Sequence, residues 1–276
     1  MGIFEQFKLY ELIVILYGLS VTFYFYDFVE RNRKANKIAF WLLLLVWILQ
    51  TVLLFTNIYI HGFIPVFSIL EGLYFYAWLI LLVSIVVNYF YKMDLVVFIV
   101  NIIGFLVMMM FLMSYATSDQ SQLTGNFVGE ILVAHIVLAF VAYTLYTLSF
   151  AFATLYLIQF YLLKKKRWRQ LVKRIGNLEQ LEKISFLLVV FATPILLISL
   201  VFGLLWAYTT DDLFYWLDAK TVGSFVVIGI YSIIIYIRVT KKLVGKSVAR
   251  LNIIAFLVLF SNYLILSMLS NFHGLN

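Results

Sequence analysis

VAHIVLAFVAYTLYTLSFAFATLYLIQFYLLKKKRWRQLVKR, residues 133–174, decides the fold. From Val133 to Leu163 it holds no formal charge, and then a dense basic cluster begins at Lys164. A helix needs about 20 apolar residues to cross the roughly 30 Å hydrocarbon core of a bilayer. This run exceeds that, so it reads as a membrane-crossing helix that projects beyond the core at one end.

The rest of the chain repeats the pattern. Hydrophobic residues make up 65% of the 276 positions and charged residues 12%, with a mean hydropathy of +1.05. A water-soluble domain carries about twice that charge. Eight apolar runs can be marked, at 8–28, 38–58, 67–91, 95–115, 130–163, 184–206, 221–238 and 251–272. The expected fold is an all-α polytopic membrane helical bundle with eight transmembrane helices, a single integral membrane domain over 1–276.

Charge alternates between the connections. The loops around 30–37, 92, 164–183 and 238–250 hold 18 of the 20 Lys and Arg; only Lys8 and Lys220 lie elsewhere. By the positive-inside rule these loops are cytoplasmic and both termini face outward. The net charge of +7 therefore reports topology and not nucleic acid. The basic loops can meet anionic lipid or a cytoplasmic partner. With no cysteine, disulfides, thiolate metal sites and Cys nucleophiles are excluded. Walker, GxGxxG, HExxH and GxSxG motifs are absent, and no enzyme activity is expected.

The same ruler sends all three histidines to the outer end. His61 lies 24 residues from Lys37, His135 lies 29 from Lys164, and His273 lies 23 from Arg250. Residues His135, Ala139, Ala142, Tyr146, Ser149 and Ala153 share one helical face of small and polar side chains, the kind that lets helices approach in lipid. His135 therefore points into the bundle. Such an imidazole can hydrogen-bond a neighbour or bind a metal, and a pair can cap both faces of a haem iron. Glu71, near the start of the third run, is either a buried functional carboxylate or a group that snorkels to the surface. The outer connection WAYTTDDLFYWLDAK (206–220) mixes aromatics with Asp211, Asp212 and Asp218. It reads as an interfacial belt or as part of a site, and its acids lack calcium-loop spacing.

Several stretches, taken in order, carry a resemblance. They are GFIPVFSILEGLYFYAW (62–78), the 133–157 helix, LEQLEKISF (178–186), GLLWA (203–207), the 206–220 connection and NYLILSMLSNFHGLN (262–276). Together they resemble the cytochrome c assembly family of haem-handling membrane proteins, the CcsA and ResC group. The eight-span, short-loop form is most similar to the HemX-type branch, which is encoded with haem-biosynthesis genes in Gram-positive bacteria. That branch is associated with restraining the level of glutamyl-tRNA reductase.

The resemblance implies haem b as cofactor, with His135 and His273 as axial ligands and His61 as a further candidate. It makes Trp206, Phe214, Tyr215, Trp216, Asp218 and Lys220 a haem-facing loop, with Glu71 as an additional cofactor-binding candidate. The implied partners are haem and a cytoplasmic protein reached through 164–183, such as glutamyl-tRNA reductase or a protease adaptor.

The chain also departs from the family. Of the tryptophan-rich motif W-A-x3-W-G-x-Y-W-x-W-D-P-K-E, Trp206, Ala207, Asp218 and Lys220 match. Phe214 stands for the tyrosine, and Asp211, Tyr215 and Leu217 stand at later tryptophan positions. Tyr236, two residues before Arg238, replaces a transmembrane histidine. These losses argue against synthase activity and favour a haem-binding regulator. A cytochrome c maturation subunit, a transporter and a haem-free scaffold are the other readings.

Overall fold

In a computed structural model, the described residues are 3–62, 64–66, 68–91, 93–117, 130–164, 177–210, 219–240 and 243–266. They form eight α-helices: α1 Ile3–Glu30, α2 Arg33–His61, α3 Ile69–Tyr91, α4 Asp94–Thr117, α5 Glu130–Lys164, α6 Leu178–Thr210, α7 Ala219–Thr240 and α8 Lys246–Ser261. The last continues as a π-turn over Asn262–Leu266. All eight segments are long and apolar enough to cross a bilayer. The described residues contain no strand. The helices mostly overrun the apolar runs by several residues, because backbone hydrogen bonding continues past the last apolar side chain. Large apolar groups such as Trp41, Phe55 and Phe191 are exposed, as a lipid solvent permits.

Local chemistry sets the helix ends. The Asn32 side chain caps α2 by accepting from the N–H groups of Lys34 and Ala35. Gly62 closes α2 at φ +77°, a left-handed turn that a residue with a Cβ adopts only under strain. At the start of α3, Ser68 and Glu71 form a capping box. The Glu71 N–H donates to Ser68 Oγ at 3.1 Å, and the Ser68 N–H donates to the Glu71 carboxylate at 3.1 Å.

Residues 1–128 and 129–276 each form a compact unit. In the first, α1 packs on α2 and α4, and α3 packs on α4 and α2. Two buried hydrogen bonds join its helices: Tyr17 donates to Asn101 Oδ1 at 2.9 Å, and Tyr74 donates to the Gln50 carbonyl at 2.9 Å.

The second unit is organised by the long seam between α5 and α6, with α8 against α5 and α7 against α6 and α8. The expected face of α5 lies in this seam, with Ala142, Tyr146, Ser149 and Ala153 all buried. The two serines bond reciprocally across it. Ser149 Oγ donates to the Ser185 carbonyl at 2.7 Å, and Ser185 Oγ donates to the Ser149 carbonyl at 3.1 Å. From α8, Asn252 Nδ2 reaches Ser149 Oγ at 2.6 Å and Ser185 Oγ at 2.9 Å. Further along, the Tyr146 and Tyr231 rings stack at 3.8 Å, joining α5 to α7, while the Tyr146 hydroxyl meets Thr193 of α6 at 3.0 Å.

Interhelical hydrogen bonds in membranes are each worth about 0.6–1.7 kcal/mol. Asn252→Val should therefore lower the unfolding stability of the detergent-purified protein by about 1–2 kcal/mol, read as a lower thermal midpoint. An unchanged midpoint would show that the three-helix junction is not held by this amide.

Candidate functional site

The seam that places Ser149 against Ser185 also places His135. Ser149 lies fourteen residues after His135 on α5, and Ser185 lies fourteen before Ser199 on α6. Antiparallel helices in that register bring His135 onto Ser199. The contact is reciprocal again: Ser199 Oγ donates to the His135 carbonyl at 2.7 Å, and His135 Nδ1 lies 2.6 Å from the Ser199 carbonyl oxygen.

That second contact fixes the tautomer. A carbonyl oxygen only accepts, so Nδ1 carries the proton and donates. In the neutral ring the lone pair is then on Nε2. An imidazole whose Nδ1–H is anchored to a backbone carbonyl is held in one orientation and one tautomer, as in metal-ligating histidines.

Gly203, one turn beyond Ser199, seats the ring. A Cβ built at Gly203 would lie 2.7 Å from His135 Cε1, 2.8 Å from Nδ1 and 3.2 Å from Nε2. Any side chain here would push the imidazole away. Trp206, half-buried, follows on the same helix, and Lys220 stands in the first turn of α7, close enough for its charge to act on the His135 ring.

Among the described residues, no three His, Cys, Asp or Glu gather as the ligands of a bare metal ion would.

The structure thus brings together His135 and Lys220 at one end of the second unit, with Trp206 nearby along α6. His273, Phe214, Tyr215, Trp216 and Asp218 lie outside the described residues, as does the His61 side chain at the end of α2. The Glu71 carboxylate is engaged in its capping box. Tyr236 is 61% exposed, directed away from the helix core. Ser199 and Gly203 were not singled out in the sequence. The readable signal was the heptad of small residues Ser185, Ala192 and Ser199 on α6, with Gly203 four residues on, facing the stripe on α5.

The cytochrome C assembly protein model matches residues 66–273. The chain belongs to that family. It is 44% identical over 266 residues to Protein HemX of Bacillus subtilis (strain 168), covering 96% of each chain. It is 36% identical over 256 residues to Protein HemX of Brevibacillus brevis, covering 93% of this chain and 94% of the relative. A more distant relative is the cytochrome c biogenesis protein CcsA of Guillardia theta, at 22% identity over 91% of this chain and 87% of that one. The family match runs from the segment before α3 to His273 and so contains the His135, Ser199, Gly203 and Lys220 positions.

The histidine geometry is directly measurable. With ¹⁵N-labelled histidine, the His135 resonances should report a protonated Nδ1 and an unprotonated Nε2. Gly203→Ala should disperse that signal without unfolding the protein. A protonated Nε2 in the unaltered protein would contradict the anchored orientation.

Proposed function

We propose that this membrane protein binds haem b at the outer end of its second helical unit, and that it acts as a haem-responsive regulator of haem biosynthesis. The observation that carries the reading is the His135 imidazole, held by the Ser199 carbonyl through Nδ1–H with its Nε2 lone pair left for a metal. Gly203 supports the same reading, because its missing side chain gives the ring its seat. His273, the last residue of the family match, is the proposed second axial ligand.

His135 and His273 would together hold the haem, whose iron would then suit sensing or storage better than oxygen chemistry. The chain's own part is to orient the imidazole and keep its donor nitrogen unprotonated. The outward orientation of the site follows from the basic loops, which in this reading are cytoplasmic.

Regulation is favoured over synthesis or conduction of haem on two grounds. The near full-length relatives at 44% and 36% identity are both named HemX. At the position where the family resemblance puts a transmembrane histidine, this chain has the exposed Tyr236, which lacks an imidazole and faces outward from the core. The proposed output is a lowered level of glutamyl-tRNA reductase, through a cytoplasmic partner or protease adaptor at the basic 164–183 loop.

Absorption spectra of the detergent-purified protein, with and without added haem, test the binding. Sharp six-coordinate bands are expected, lost in His135→Ala and in His273→Ala. Haem bound with unchanged spectra in the double variant would overturn the assignment. Restoration of cytochrome c in a synthase-deficient cell would instead establish a maturation role.

A further inference from the structure

We propose that the N-terminus of α8 binds the phosphate of an anionic phospholipid, through its free backbone N–H groups, the Lys246 ammonium and the Tyr156 hydroxyl. The site lies at the opposite end of the second unit from His135 and does not depend on the haem reading.

α8 begins without a cap of its own. Gly245 stands at the N-cap with φ +76°, a left-handed backbone that residues with a Cβ rarely adopt, and no side chain there bonds the helix end. The first helical bond runs from the Ala249 N–H to the Gly245 carbonyl at 3.0 Å. The N–H groups of Lys246, Ser247 and Val248 therefore have no acceptor within the helix. No acidic residue occupies the first turn. A helix end of this kind carries partial positive charge and receives an anion.

A buried hydroxyl meets the same end. Tyr156 of α5 is 8% exposed, and its ring stacks on Phe160 at 6.3 Å. A Cβ at Gly245 would lie 2.6 Å from the Tyr156 hydroxyl oxygen, so only glycine lets that hydroxyl stand against the N-cap. It has no hydrogen-bond partner among the described residues, and a buried donor calls for an acceptor. Lys246 brings full charge to the same place. Its ammonium lies 5.6 Å from the Phe160 ring centre and 5.1 Å from that of Tyr161, held by aromatic faces. Glu182, whose charge reaches Tyr156, is already paired with Arg238 at 2.9 Å. Backbone donors, a hydroxyl and a cation converging in this way match a phosphate.

The surroundings point to a lipid as its bearer. The membrane-crossing part of α8 starts at Lys246 and that of α5 ends at Lys164, which sets the site at headgroup level. Leu243 and Val244, just before it, are exposed and offer an apolar flank to acyl chains. The basic loop 238–250 faces the cytoplasm in the reading above, the side whose anionic lipids attract such segments.

The test titrates the full-length protein in neutral detergent with phosphatidylglycerol, phosphatidylcholine or inorganic phosphate, counting bound lipid by native mass spectrometry. Phosphatidylglycerol should bind most tightly. Lys246→Gln should weaken it about tenfold and Tyr156→Phe, which removes only the hydroxyl, about threefold, with thermal midpoints in lipid-free detergent unchanged. Lys37→Gln, a charge loss in the first unit, should leave the affinity intact. Equal weakening by Lys37→Gln would show diffuse attraction and overturn the site, as would no effect of Lys246→Gln and Tyr156→Phe. Displacement of the lipid by millimolar inorganic phosphate would overturn the assignment to a lipid.

Discussion

The second helical unit depends on one repeated interaction, a side chain of α5 and a side chain of α6 each bonding the other's backbone. In lipid no water satisfies a stray hydroxyl or carbonyl, so a polar group between helices must find its partner across the contact. Ser149 with Ser185 does this at one level, and His135 with Ser199 does it fourteen residues away. The two pairs cannot slip independently, because sliding one helix along the other breaks both. The same register that satisfies the serines thus holds the imidazole, its tautomer and its ring seat on Gly203. Fold and candidate site are one arrangement.

Much of this was legible in the sequence. The eight helices follow from apolar length, and the burial of Ala142, Tyr146, Ser149 and Ala153 follows from their spacing of three and four. His135 was placed on that face for the same reason. The partner on α6 was harder to see. Ser199 looks like any small polar residue in an apolar span, and only pairing it with the α5 stripe in antiparallel register gives it meaning. Gly203 carries no chemistry of its own, and its role exists only as an absent side chain against an imidazole. Glu71 carries a local signal of its own. The spacing Ser68-x-x-Glu71 spells a capping box, and the structure shows both of its reciprocal bonds. The division into units at residue 128 has no marker in the apolar pattern, because contacts between helices decide it.

The family match and the structure bear on different questions. The match places the chain among cytochrome c assembly proteins and beside proteins named HemX. The structure supplies the local chemistry of one histidine, an imidazole anchored through Nδ1 to the Ser199 carbonyl and seated on Gly203. At the other end of the unit, Arg238 meets Glu182 at 2.9 Å and lies over the Phe186 ring at 5.4 Å. The charge end of α7 is therefore tied to α6, the same helix that carries Ser199 and Gly203.

The most direct test of a His135-centred haem site is the paramagnetic resonance of the haemin-loaded protein grown on ¹⁵N-histidine. A low-spin ferric signal with hyperfine coupling to two histidine nitrogens is the result this account predicts. A high-spin signal, or a low-spin one without histidine coupling, would contradict it.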